Sequence, residues 1–132
     1  PPVQTIYAAR QALDEYFAEG EEAKWARHTR VMNAIHDGLA ALGFREAIRR
    51  EIQVGLVASV IYPDDENWNF EKVHDYCYER GFTMYPGKIT GANTFRLCAL
   101  GAIDVSDIED FFAVLKQALE ANNIAIPLKY NN

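Results

Sequence analysis

The sequence predicts an α+β fold in which helices cover one face of a small antiparallel sheet. Three observations predict this class. Helical periodicity fills the first third of the chain, two runs of β-favouring and apolar residues lie in the middle, and a further amphipathic helix follows them. A length of 132 residues suits a single domain spanning residues 1–132.

The first third of the chain predicts a long helical segment with an interruption at Gly20. Pro1-Pro2 can start a helix because proline is tolerated in the first turn. One apolar stripe precedes the glycine: Val3, Ile6, Tyr7, Leu13 and Phe17. A longer stripe follows it: Trp25, Met32, Ile35, Leu39 and Leu42, with Gly43 placed as the stop. This stripe covers too few heptads for a coiled coil, so we interpret it as one side of a packed helix.

The first strand is predicted over Gln53–Tyr62, a run rich in valine and isoleucine that ends at Pro63. The segment 44–50 before it is compatible with either a helix or a strand. Three carboxylates, Asp64 to Glu66, follow the strand. They lack the alternating spacing and the glycine of a calcium loop, so a solvated acidic turn is expected.

A short helix and two further strands are predicted between residues 69 and 101. Asn69 caps a helix over 70–80 that Gly81 ends. Thr83–Tyr85 and the run 94–100 are predicted strands, separated by a Pro86-Gly87 break. Strands joined by such a loop are expected to pair antiparallel.

The last helix is predicted to begin with a capping box formed by Ser106 and Glu109. Its apolar stripe comprises Ile108, Phe111, Phe112, Leu115 and Leu119. Asn122-Asn123 ends the helix, and Pro127 restricts the tail 124–130 to an edge strand or coil.

Composition excludes several classes of function. A net charge of −6 and a pI near 5.0 argue against nucleic-acid and anionic-membrane surfaces. No apolar run approaches the roughly 18 residues of a membrane span, and the start has no signal-peptide pattern. The cysteines, Cys77 and Cys98, form no CxxC pair, so we expect no metal site and two buried, reduced thiols, as in a cytoplasmic protein. For the same lack of ligand spacing, His28 is interpreted as an ordinary helix residue.

Arg96 is the main candidate for a functional residue. It lies inside the apolar run TFRLCAL, where a fixed charge needs an anionic partner or an exit to water. A guanidinium can hold a carboxylate or phosphonate with two parallel hydrogen bonds. The alternative is a surface arginine on an edge strand, paired with a nearby carboxylate. Lys88, on the loop after Gly87, is a second and weaker candidate for attracting anions.

Three segments resemble the 2-aminoethylphosphonate–pyruvate transaminases, which are class V aminotransferases of fold type I. They are PPVQTIYA at the start, RGFTMYPGK in the middle and TFRLCALGAID after it. The resemblance covers nearly the whole chain and corresponds to the C-terminal small domain of the family. It implies that the large cofactor-binding domain is absent. A start at Pro-Pro without an initiator methionine likewise suggests a piece of a longer protein.

The resemblance implies a pyridoxal 5'-phosphate enzyme that acts as a homodimer on an amine donor and a 2-oxo acid. In the family, the arginine of the TFR motif clamps the acidic group of the substrate, and Arg96 matches it. None of the five lysines lies in the family's Schiff-base motif, so no catalytic, cofactor-binding or metal-binding residue is assigned to this chain. The isolated chain is expected to be inactive and to hold no cofactor. The family often has a glycine two residues after the arginine, where this chain has Cys98.

Other readings of the residues remain open at this stage. The chain could belong to another class V aminotransferase, of the alanine/serine–glyoxylate type. It could also be a free-standing α+β module that captures small carboxylates through Arg96, or a dimerisation domain.

Overall fold

The computed structural model describes residues 1–87 and 91–130 of the chain. Four α-helices and a three-stranded antiparallel sheet in these ranges confirm the predicted α+β class. The helices are α1 (Val3–Glu19), α2 (Glu21–Leu42), α3 (Phe70–Tyr78) and α4 (Val105–Ala121), and the strands are β1 (Val57–Ile61), β2 (Tyr85–Pro86) and β3 (Thr94–Cys98). None of these helices combines the length and apolar character that crossing a bilayer requires.

The predicted break at Gly20 separates α1 from α2, and the predicted stop at Gly43 ends α2. Gly43 has φ 84° and ψ 17°, the left-handed conformation that glycine adopts at little cost. The two helices differ in burial. Seven residues of α2 are buried, whereas no residue of α1 is, and its apolar stripe, including Phe17 at 74% exposure, faces outward.

Strand β3 lies in the centre of the sheet, between β1 and β2, and both pairings are antiparallel. Because side chains alternate along a strand, Phe95 and Leu97 face the helices and are 0% and 6% exposed. Ala58 and Val60, their partners in β1, are also fully buried. The opposite face carries Arg96 and is partly open to solvent.

Strand β2 is displaced by one to two residues from its predicted position. The predicted strand was Thr83–Tyr85, but pairing involves Tyr85 and Pro86. Proline is acceptable there because β2 is an edge strand. Gly87 then donates to the carbonyl of Thr94 at 2.6 Å, and any Cβ at position 87 would collide with the Thr94 side chain.

The ambiguous segment 44–50 forms neither an α-helix nor a regular strand, and its last residue begins a short 3-10 helix, Arg50–Ile52. Glu46 forms an isolated antiparallel bridge with Val60, and Ala47 donates to the carbonyl of Ser59 at 2.8 Å. The hydroxyl of Tyr130 accepts from the backbone of Arg45 and donates to the carbonyl of Ile61, both at 3.0 Å. The predicted coil at the C-terminus therefore packs against this edge of the sheet.

The capping box of α4 differs from the predicted one. Asp104, rather than Ser106, is the N-cap residue, and Asp107, rather than Glu109, occupies the third helical position. The Asp107 carboxylate accepts from the Asp104 backbone at 2.8 Å. The sequence contains two overlapping capping patterns, and the chain uses the earlier one because the helix begins at Val105. At α3 the predicted cap is confirmed, since the Asn69 side chain accepts from the Lys72 backbone at 3.0 Å.

We expect Asp104→Ala to lower the free energy of unfolding by about 1 kcal/mol, the usual effect of losing a helix cap. Ser106→Ala is the matched control and should change it by less than about 0.5 kcal/mol, as for other exposed positions. Urea denaturation followed by circular dichroism measures both. A larger loss for the Ser106 variant would contradict the cap assignment.

Candidate functional site

The central strand β3 places Arg96 on the open face of the sheet. Its cross-strand neighbours are Ser59 in β1 and Tyr85 in β2. Directly opposed residues of antiparallel strands share a face, so the arginine lies between a hydroxyl side chain and an aromatic ring. The alternative of an edge-strand arginine does not fit this topology.

The guanidinium of Arg96 has weak internal partners. Its only hydrogen bond to another described residue runs from Nη2 to the Pro86 carbonyl, at a long 3.4 Å. Its Nε atom is buried and has no acceptor within residues 1–87 and 91–130. No carboxylate in these ranges lies within ion-pair distance of it. Arg96 can therefore offer hydrogen bonds and a full positive charge to an acid.

A cleft of about 570 Å³ borders Arg96. It lies beside the N-terminal end of β2. There β3 continues to Leu97 and Cys98, past Arg96, its last residue paired with β2. The opposite wall comes from the start of α4 and the loop before it, including Ile103, Asp107 and Phe111. Most of the remaining lining is apolar. Arg27 donates to the carbonyl of Gly101 at 3.0 Å and so fixes the loop that borders this cleft.

The two thiols differ in exposure, which corrects the expectation that both are buried. Cys77 is 0% exposed in the core, and burial raises its pKa to about 11. Cys98 is only half-buried, because it shares the open face with Arg96 and lines the cleft. Burial also raises the pKa of the Cys98 thiol, while the positive charge of Arg96 acts in the opposite direction.

The lysines of the described ranges lie away from this cleft. Lys24 pairs with Glu19 at 3.7 Å and Lys116 with Glu120 at 4.0 Å, and Lys72 and Lys129 are exposed. A pyridoxal phosphate cofactor needs a lysine amine to hold it as a Schiff base. These residues do not fit that group at the cleft. Lys88, the second candidate for attracting anions, is outside the described residues.

The histidine and the acidic residues considered for metal binding make hydrogen bonds that stabilise the fold. His28 is buried, and its Nδ1 donates to the carbonyl of Ala99 at 2.7 Å, which ties α2 to the end of β3. In the acidic segment, Asp65 accepts from the Asn67 backbone at 2.8 Å and forms a local turn. Across residues 1–87 and 91–130, no group of three or more histidine, cysteine, aspartate or glutamate side chains could hold a metal ion.

Sequence reasoning missed a polar network beside β1. His36 Nδ1 meets Glu46 Oε1 at 2.8 Å, and Gln53 donates to the other oxygen of Glu46 at 2.8 Å. Gln53 also accepts weakly from the Ser59 backbone, at 3.3 Å. The sequence feature that could have revealed this network is the position of His36, which lies four residues after the buried Met32 on the same helix face. The network supports Ser59, the neighbour of Arg96.

Relatives with similar sequences are named as transaminases. The chain is 37% identical over 127 residues to a 2-aminoethylphosphonate–pyruvate transaminase of Burkholderia ambifaria, which covers 96% of this chain and 34% of the relative. A second such transaminase, from Phocaeicola vulgatus, is 35% identical over 116 residues, covering 87% of this chain and 32% of the relative. The chain thus spans about a third of the curated relatives that it matches. No protein-family model matches it.

Solved structures with the same fold are also aminotransferases. Pyridoxamine–pyruvate aminotransferase from Mesorhizobium loti matches with a TM-score of 0.84 at 24% identity, over 96% of this chain and 33% of that one. Ureidoglycine–glyoxylate aminotransferase from Bacillus subtilis matches with a TM-score of 0.77 at 22% identity, over 91% and 31%. The structural neighbours confirm the predicted fold. The sequence relatives confirm the resemblance inferred from the motifs.

We expect a thiol reagent to alkylate Cys98 at least about 100-fold faster than Cys77, because Cys77 reacts only when the core opens. The thiolate is the reactive form, so the Cys98 rate should increase with pH until its raised pKa is passed. Arg96→Gln removes the charge that lowers this pKa and should slow the reaction at pH 8. Mass spectrometry of timed samples measures each site. Equal labelling of both thiols in the folded chain would contradict their placement.

Proposed function

We propose that this chain is the substrate-clamping small domain of a pyridoxal-phosphate-dependent transaminase. The reaction transfers the amino group of 2-aminoethylphosphonate to pyruvate and gives phosphonoacetaldehyde and alanine. The observation that carries the proposal is the 37% identity over 96% of the chain to a relative with that name. Pyruvate as the acceptor gains support from the structural neighbour named as a pyridoxamine–pyruvate aminotransferase.

Arg96 is proposed to clamp the acidic group of each substrate. Its position on a central strand, with a strand paired on either side, holds its backbone rigid. A planar fork of N–H donors on a rigid support fixes both the position and the orientation of a carboxylate or phosphonate. Positioning of this kind is a large part of what a transaminase protein contributes, because the cofactor supplies the electron sink. One arginine can serve both half-reactions because both substrates carry an acidic group.

The rest of the enzyme is proposed to lie outside this chain. A large domain would carry the Schiff-base lysine and the other contacts of pyridoxal 5'-phosphate. The one-third coverage of the relatives supports this division. The exposed apolar stripe of α1 supports it too, because an uncovered stripe of this kind is typical of a surface that packs against another body. We further propose that the complete enzyme is a cytoplasmic homodimer, and that Lys88 helps to attract anionic substrates.

We expect Arg96→Ala and Arg96→Lys to impair turnover strongly in a transaminase that contains this chain. Lysine keeps the charge but loses the planar fork. Losing a charge-assisted clamp in a partly dry cleft costs about 2–5 kcal/mol. This corresponds to a fall of about 30- to 5,000-fold in kcat/KM. Stopped-flow measurement of each half-reaction should show the loss for both pyruvate and the amine donor.

Lys116→Ala is the matched control. The Lys116 side chain is 58% exposed on α4 and does not line the cleft, and its only ion pair among the described residues is a long 4.0 Å contact with Glu120. Its kcat/KM should stay within about threefold of the wild type, since exposed pairs contribute little. If the Arg96 variants behaved like this control, Arg96 would be an ordinary surface residue and the clamp proposal would be wrong.

A further inference from the structure

Antiparallel pairing places a second side chain with a polar tip next to Arg96 on the open face of the sheet. The partner of Arg96 in β2 is Tyr85. Directly opposed residues of antiparallel strands have Cβ atoms about 4.5–5.5 Å apart and project from the same face. Tyrosine and arginine side chains are of similar length, so an acid held by Arg96 on the β2 side lies within reach of the Tyr85 hydroxyl.

The guanidinium of Arg96 is turned toward β2. Its Nη2 atom contacts the carbonyl of Pro86, the residue that follows Tyr85, at 3.4 Å. Tyr85 and Arg96 also border the same cleft, whereas Ser59, the neighbour of Arg96 on the β1 side, does not line it. Both observations put a bound acid on the same side of Arg96 as Tyr85.

The fold of the described residues does not use the hydroxyl of Tyr85. The residue is 57% exposed, and its side chain makes no hydrogen bond or ring contact with another residue in the ranges 1–87 and 91–130. Tyrosine favours strands because of its ring, and phenylalanine serves an edge strand equally well. The hydroxyl is therefore available as a donor to a ligand.

A second donor beside the arginine distinguishes two kinds of acid. A carboxylate is planar, and a guanidinium fork engages both of its oxygens in one plane. A phosphonate is tetrahedral, so its third oxygen projects out of that plane when the other two lie on the fork. A hydroxyl from the neighbouring strand can donate to this third oxygen, which a carboxylate lacks.

We propose that Tyr85 is a specificity residue that donates a hydrogen bond to the third oxygen of a phosphonate held by Arg96. The inference rests on the proposed function and deepens it, because it assigns recognition of the amine donor to a side chain that pyruvate does not need. Arg96 holds the acidic group of both substrates, and Tyr85 adds affinity for the phosphonate alone.

Half-reaction kinetics of a complete transaminase that contains this chain test the assignment. Tyr85→Phe removes the hydroxyl and keeps the ring. We expect kcat/KM for 2-aminoethylphosphonate to fall about 10- to 100-fold, the effect of losing a hydrogen bond to a charged group. The value for pyruvate should stay within about threefold of the wild type. A general distortion of the site would impair both half-reactions, because Arg96 serves both.

Calorimetric titration of the same enzyme provides a readout that does not depend on turnover. The probes are ethylphosphonate and propionate, which carry the two acidic groups on the same ethyl body and lack the amine. Tyr85→Phe should weaken ethylphosphonate about tenfold or more and change propionate by less than about threefold. Arg96→Gln should weaken both probes about 30-fold or more.

Tyr78→Phe is the matched control. Tyr78 is 66% exposed on α3 and does not line the cleft. The variant loses the same hydroxyl group from a tyrosine of similar exposure, and it should match the wild type in both half-reactions and with both probes. A loss as large as that of Tyr85→Phe would show that removal of an exposed hydroxyl acts non-specifically, and it would overturn the inference.

The outcomes distinguish this inference from the proposed function. If Tyr85→Phe affects phosphonate and carboxylate equally, or affects neither, while Arg96→Gln weakens both probes, the Tyr85 inference is wrong and the clamp stands. Probe binding that is insensitive to Arg96→Gln would overturn the clamp and this inference together. A wild-type enzyme that accepts another amine donor but not 2-aminoethylphosphonate would contradict the proposed function, and the inference with it, before any variant is compared.

Discussion

The alternation of side chains along β3 is the constraint on which the remaining structure depends. Phe95 is completely buried, and its ring centroid lies 5.5 Å from that of Phe44 and 6.1 Å from those of Trp68 and Phe70. A slip of one residue would exchange the two faces and drive the Arg96 guanidinium into this aromatic cluster. Burying an unpaired charge there would cost far more than the strand pairing could recover. Hydrophobic burial on one face therefore fixes the position of the charge on the other.

The cleft follows from the shortness of β2. Had β2 extended backward from Tyr85, it would have paired with the end of β3 and filled the space beside Cys98. Two anchors prevent this: Met84 is buried at 2% exposure, and the ring of Phe82 meets that of Phe111 in α4 at 5.7 Å. These contacts direct the segment toward the helix layer instead of along the strand. The same apolar contacts that stabilise the core thus leave a sheet edge open next to the arginine.

Much of the fold could be predicted because local signals were strong and mutually consistent. Gly20, Gly43 and Asn69 mark helix boundaries through backbone geometry and capping, which are properties of a few adjacent residues. Where two local signals overlapped, as at Asp104 and Ser106, sequence alone gave the wrong choice, because only the start of the helix decides between them. The candidate site likewise combines a residue that local sequence reveals with residues that only tertiary packing brings to the cleft. Arg96 was evident as a charge within an apolar run, but Asp107 and Ile103 reach the cleft through tertiary packing. The His36–Glu46 contact likewise joins a helix to a segment with no clear periodicity.

The surroundings of Arg96 indicate function more strongly than its identity does. A buried donor without an acceptor costs about 1–3 kcal/mol, and the Nε atom of Arg96 is in this condition within the described residues. An apolar residue on the same strand would avoid that cost and would favour the strand at least as well. An acid bound beside the guanidinium would replace the weak 3.4 Å contact with Pro86 by charge-assisted hydrogen bonds. A buried donor without a partner among the described residues, on a well-packed central strand, is therefore the physical feature that makes Arg96 the candidate.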